Sequence, residues 1–258
     1  MTLVAANDVF QQSRFRNGLL DALKQPDAEL LGSVAERVSL ARGHVLFEPG
    51  DSVTVVHFPC GPTIAALIVT MENGDAVETA TIGREGAIGG IVSQGHLPAF
   101  ARGVVQVAGP AIRIETARLQ DLKSRSVAVR NLFARYADCL LAQILQSVAC
   151  NALHPMEGRC ARWLLSLHDR IGADDLPVTQ QTLAEMLGVQ RTYLSRVLGA
   201  LSRRGLVRAG RGTIQVLSRE GLERASCECY AAVRLHYEGV LGGIYPTIPA
   251  EAEAEAGR

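Results

Sequence analysis

Pro177 to Val216 reads PVTQQTLAEMLGVQRTYLSRVLGALSRRGLVRAGRGTIQV, and this stretch decides the fold. Leu183, Ala184, Met186 and Leu187 make an apolar helical face that ends at Gly188. Glycine suits a sharp interhelical turn because it tolerates positive φ. Val189, Leu194, Val197, Leu198 and Leu201 recur at helical spacing in the next segment. A short hairpin follows, with Gly210-Arg211-Gly212 at its tip. From Gln190 to Arg211 there are six arginines (Arg191, Arg196, Arg203, Arg204, Arg208, Arg211) and no acid. A helix with one apolar face and one arginine face, held by a turn against a first helix, suits the DNA major groove.

Working outward, the chain divides into regions of different period. Residues 17–115 alternate short β-like runs with glycine turns: HVLFEPGD, TVVHFP, TIAALIVT, AVETATIG, RGVVQVAG and AIRIE. Short strands without long helices between them read as an antiparallel sandwich or barrel. Asn17 to Lys24 and Pro26 to Arg37 read as two helices ahead of it. Residues 116–152 then switch to steps of three, four and seven, with Leu122, Val129, Phe133, Tyr136, Leu140, Ile144 and Val148 in one stripe. No proline or glycine interrupts this run, so it reads as one helix of about 50 Å. A stripe that long outruns one small barrel, so it reads as a dimer helix covered by a symmetric partner, the alternative being an ordinary long helix packed within its own chain. His154-Pro155 breaks it and opens a helical domain over 153–220, in which Cys160, Trp163, Leu164 and Leu167 point inward. Residues 1–16 read as a flexible N-terminus, and 221–258 as an extension whose acidic end is disordered.

Composition narrows the function. Formal net charge is zero across 258 residues, so the basic character is local, which favours a discrete binding face over a nonspecific coat. No apolar run reaches the roughly 18 residues of a bilayer span. MTLVAANDVFQQSRF lacks a signal-peptide core, so a cytoplasmic protein without a membrane partner is expected. Cys60, Cys139, Cys150, Cys160, Cys227 and Cys229 are scattered and read as reduced thiols. Cys227-x-Cys229 has no second pair near it in sequence, so no metal is expected. His44, His57 and His96 lack the His-x-His pairing of a cupin-like metal enzyme, so neither a catalytic residue nor a cofactor is expected.

Taken in order, these parts resemble the Crp/Fnr family of bacterial transcription regulators. The motifs are Leu40-x-x-Gly43-x-x-Leu46-x-x-x-Gly50-Asp51, Val56-His57-Phe58-Pro59 and Ile82-Gly83-Arg84-Glu85-Gly86-Ala87-Ile88-Gly89 in the barrel half. In the C-terminal half they are ARWLLSLHDR, VTQQTLAEMLGV, RTYLSRVLGALSRRGLV and RGTIQV. The resemblance implies an α+β fold: an N-terminal antiparallel, cyclic-nucleotide-binding-like β-roll, a long dimerisation helix and a C-terminal winged helix-turn-helix. It implies a homodimer on double-stranded DNA, with RNA polymerase as a further partner.

The DNA contacts expected are Thr179, Gln180, Arg191, Thr192, Tyr193, Ser195, Arg196, Arg203 and Arg211. An arginine early in such a helix makes a bidentate contact to guanine N7 and O6. Family members carry arginine, glutamate and arginine at what are Arg191, Thr192 and Arg196, so the base read opposite Thr192 should differ. Thr179 also suits a helix N-cap, and Arg211 a backbone phosphate. Cyclic-nucleotide-binding relatives use a Gly-Glu-Leu-Gly turn and an Arg-Ser/Thr-Ala segment. Here Ala87 lacks the ribose-binding carboxylate, and Gly103 after Arg102 lacks the hydroxyl. Gly86, Gly89 and Arg102 remain as a reduced ligand pocket. The expectation is a regulator not gated by a cyclic nucleotide. The alternative is one gated by a nucleotide or other small effector in the roll. No N-terminal cysteine cluster of the oxygen-sensing relatives is present before Cys60.

Overall fold

The computed structural model describes residues 17–90 and 98–246. The N-terminal 1–16, the acidic tail after Pro246 and His96 lie outside the described residues. Two short helices come first, α1 (Gly18–Asp21) and α2 (Gln25–Gly32). The second is shorter than its sequence pattern suggests. Glu36–Leu40 is instead strand β1, with Arg37 opposite Ile112, because long-range pairing outweighs local helix preference there.

Six further strands complete the roll: β2 (Val45–Phe47), β3 (Val55–Pro59), β4 (Ile64–Thr70), β5 (Ala76–Ile82), β6 (Arg102–Val107) and β7 (Gly109–Glu115). They form an antiparallel sheet ordered β1-β7-β3 and another ordered β2-β6-β4-β5. Leu40 and Ala111 of the first pack with Val105 of the second.

The long helical region is two helices, not one. Helix α3 (Thr116–Arg125) stops at Ser126, which is extended and caps α4 (Val127–Leu153) by accepting a hydrogen bond from Val129 N at 3.2 Å. A serine cap is a sufficient stop without proline or glycine. Helix α4 lies on the roll, with Val129, Phe133 and Tyr136 packed with Phe58, Ile112 and Ile114. The Phe58 and Phe133 rings meet edge-to-face at 6.0 Å.

The C-terminal half comprises α5 (Met156–Ile171), β8 (Asp175–Leu176), α6 (Gln180–Leu187), α7 (Arg191–Arg203), β9 (Val207–Ala209) and β10 (Ile214–Val216). Two helices follow, α8 (Arg219–Ala225), which closes the winged half, and α9 (Cys229–Val240) in the extension. Cys160, Trp163, Leu164 and Leu167 of α5 are buried with Leu183, Leu187, Leu194 and Leu198 of the next two helices. Helix α9 carries Tyr237 back into the core shared by α4 and the roll.

Polar groups join the halves. Trp163 Nε1 donates to the Glu78 carboxylate at 3.3 Å, and Arg42 Nη2 to Thr182 Oγ1 at 2.6 Å. Arg170 of α5 meets Glu85 at 2.8 Å, both almost wholly buried. The arginine also donates to Ser166 O and Gln143 Oε1, and its guanidinium lies over the Tyr245 ring.

Candidate nucleic-acid interface

Thr179 caps α6 by accepting from Thr182 N at 3.0 Å. Gly188, at φ +66°, ends that helix in the left-handed region and turns the chain into α7. Leu194, Leu198 and Leu201 seal the inner face of α7. Arg191, Thr192, Tyr193, Ser195 and Arg196 are exposed on its outer face. The Arg196 guanidinium stacks over Tyr193, 5.7 Å from the ring centroid, which holds both side chains on that face.

The remaining expected contacts are distributed around this face. Ser195 Oγ donates to Gln180 Oε1 at 2.8 Å, so these two side chains also brace α7 against α6. Arg203 is exposed at the far end of α7. Arg211 is exposed at the wing tip, where Gly210 N donates to Thr213 O at 2.9 Å to close the turn. Arg204 is drawn away into an ion pair with Glu157, and Arg208 donates to Gln215. The outer face of α7 and the wing tip thus expose Arg191, Arg196 and Arg211, and the sequence from Gln190 to Arg211 holds no acid.

Around Gly86 and Ala87, in the turn expected to hold a ligand, the protein's own side chains close in. The Tyr136 hydroxyl donates to Ala87 O at 2.9 Å, and burial pushes its acidity well below that of a free phenol. Gly86 lies so close to the Tyr136 ring that a side chain there would overlap it. Glu85 is turned away toward Arg170. Arg102 pairs with Glu48 at 3.1 Å on the roll surface, which leaves its charge partly neutralised.

The stripe expected to form the dimer contact is largely covered within the chain. Leu122, Val129, Phe133 and Tyr136 are buried in the core beneath α3 and α4, and Leu140 and Ile144 pack beside Ala65, Ala80 and Ile82. Only Val148 of that set is exposed. The roll and α9 take the apolar positions that periodicity alone assigned to a partner. The free apolar face of α4 is instead Leu141, Leu145 and Val148, at 53%, 61% and 64% exposure. With Ala134, Asp138 and Ala152 nearby on the helix, these positions step by four and three, the spacing of a coiled-coil seam.

Of the histidines, His57 is held at about 4, first by burial and then by the nearby Arg113 and His44, so it stays neutral. Cys227 and Cys229, an isolated pair in sequence, meet Cys150 and His154 in space. Two signals were there to be read: Cys150 and His154 stand one helical turn apart, and both lie at the end of the long helix.

Residues 158–225 match the Crp-like helix-turn-helix domain family. Transcriptional regulator SdrP of Thermus thermophilus is 33% identical over 89 residues, which is 32% of this chain and 44% of that protein. The chain thus matches less than half the length of this curated relative. FixK2 from Bradyrhizobium japonicum superposes with a TM-score of 0.65 at 15% identity, covering 75% of this chain and 98% of that one. The c-di-GMP-responsive regulator CLP of Xanthomonas campestris gives 0.62 at 18% identity, over 76% and 100%. A Crp/Fnr-family regulator from Thermus thermophilus gives 0.60 at 22%, over 74% and 98%. Residues 158–225 are thus similar to the Crp-like helix-turn-helix family, and they are carried on a chain with the fold of the Crp/Fnr regulators.

Proposed function

We propose that this protein is a sequence-specific DNA-binding transcription regulator that works as a homodimer. The observation that carries the reading is the exposed Arg191–Arg196 face of α7, free of acids and backed by a buried apolar face. Arg191, Thr192, Tyr193 and Arg196 read base edges, while Thr179, Gln180, Ser195, Arg203 and Arg211 position the duplex through its phosphates. The partner copy docks along Leu141, Leu145 and Val148, so two recognition helices reach half-sites about one turn, ~34 Å, apart. The pairing of Tyr136 with Ala87 and of Glu85 with Arg170 supports a roll that is not gated by a cyclic nucleotide. No described helix is long and apolar enough to cross a membrane. The regulator acts in the cytoplasm, without catalysis of its own, and meets RNA polymerase at its promoters.

Selection of bound DNA from a random pool tests the reading. A pseudo-palindrome is expected. Arg191→Ala and Arg196→Ala each relax one position per half-site at a cost of about 1–3 kcal/mol. Arg211→Ala weakens all sequences alike and flattens the salt dependence. An unchanged motif and affinity in Arg191→Ala would refute the docking.

A further inference from the structure

The end of the long helix and the start of the last helix bring four metal-ligand side chains to one point. Cys150 Sγ, a ring nitrogen of His154, Cys227 Sγ and Cys229 Sγ all lie within 4.8 Å of one another. Cys150 Sγ and Cys227 Sγ are 3.5 Å apart, and Cys229 Sγ is 3.4 Å from His154 Nδ1. A tetrahedral zinc ion with bonds of ~2.3 Å to sulfur and ~2.0 Å to nitrogen sets neighbouring ligand atoms roughly 3.5–3.8 Å apart. The Cys150–Cys227 and Cys229–His154 separations are of that size, and the remaining pairs lie within 4.8 Å. An iron–sulfur cluster distributes its ligands over several irons and spreads them wider.

The surroundings have the form of a built site. His154 turns Nδ1 inward, and its Nε2 lies 3.0 Å from the Glu228 carboxylate. A metal-bound histidine whose other nitrogen donates to a carboxylate is fixed in tautomer and orientation. Gln146 Nε2 donates to Cys229 Sγ at 3.0 Å, as a donor does toward thiolate sulfur. Cys150 and Cys229 are fully buried. Arg162 lies near Cys150, and three thiolates around a dication leave one negative charge for such a cation to offset. The backbone supplies the geometry cheaply. Cys150 and His154 share a face one turn apart at the end of α4, while Cys227 precedes α9 and Cys229 opens it.

We propose that Cys150, His154, Cys227 and Cys229 bind a single zinc-class divalent cation, which pins α9 to the end of α4. The site adjoins Pro155, where α5 and the DNA-binding half begin. The ion thereby ties the extension to the joint between the two halves, a bond of long sequence separation at the opposite end of α9 from the Tyr237 and Leu241 packing.

The test uses the full chain, purified with reductant and stripped by chelation. Cobalt(II) is the probe. One equivalent per chain is expected, with intense thiolate-to-cobalt bands and the visible spectrum of a tetrahedral ion, displaced by zinc. Glu228→Ala, whose side chain is 77% exposed, should keep the fold by circular dichroism and bind cobalt 10- to 100-fold more weakly. Cys227→Ser should lose the tetrahedral spectrum. Cys60→Ser, in which the hydroxyl can still donate to Phe58 O, should retain it. Zinc should also slow hydrogen exchange of the α9 amides. The proposal fails if folded protein gives an octahedral cobalt spectrum or none, or if it is isolated with iron and acid-labile sulfide. It fails equally if a Cys150–Cys227 disulfide forms under reductant, if Glu228→Ala binds as wild type, or if α9 exchange ignores zinc. None of these readouts involves DNA, so they stand apart from operator binding.

Discussion

Arg170→Met is expected to be among the most damaging single substitutions in the chain. The arginine and Glu85 are 2% and 1% exposed, and their 2.8 Å contact joins α5 to the turn after β5. Removing the cation leaves a buried carboxylate whose remaining donor is Gly83 N at 3.1 Å. It also frees Ser166 O and Gln143 Oε1 from their guanidinium contacts. Breaking a buried pair from one side costs about 3–5 kcal/mol, because the surviving charge is neither hydrated nor paired. At roughly 2–4 °C per kcal/mol for a chain of this size, the melting temperature should fall by ~6–20 °C. Glu85→Gln combined with Arg170→Met removes both charges and should recover most of the loss, since a buried pair replaced as a unit is often near neutral. Thermal and urea unfolding of wild type, both singles and the double close a mutant cycle, with an expected coupling of about 2–3 kcal/mol. A loss below ~1 kcal/mol for Arg170→Met, or a double no better than the sum of the singles, would refute the reasoning.

Leu141→Glu with Leu145→Glu should yield a folded monomer with weak operator binding, read by sedimentation and DNA titration. A dimer that survives both charges removes the proposed seam. Phe133→Glu should instead unfold the chain, since burying that side chain contributes about 1.5–3 kcal/mol and its site has no room for a charge. His57 should make the protein acid-sensitive. Its folded value of about 4 lies below the ordinary 6.5, so the unfolded chain takes up the proton first. Stability is complete above pH 6.5 and falls as pH drops toward 4, by up to about 3 kcal/mol. His57→Gln should therefore shift the acid transition lower, and an unmoved midpoint would exclude His57 as its source. Calorimetry with cyclic AMP and cyclic GMP at millimolar concentration should show no saturable heat. A micromolar Kd accompanied by tighter operator binding would restore nucleotide gating.

The helix-turn-helix was legible because its determinants are local. Thr179 caps its own helix, Gly188 turns within one residue, and Leu194, Leu198 and Leu201 repeat at the helical period. Each can be read from neighbours a few positions away, as can the short glycine-bounded strands of the roll. The missing carboxylate at Ala87 was equally plain, though not that Tyr136 covers the turn from the next helix. What tertiary structure decided is what lies across long separations. Periodicity identified α4 as apolar, but which stripe was free depended on what the roll and α9 covered, and the answer moved from Phe133 and Tyr136 to Leu141 and Leu145. Glu85 finds Arg170 at a separation of 85 residues, and Cys150 finds Cys227 at 77. No residue pattern encodes such meetings locally, because they exist only once the chain has folded and brought its distant elements together.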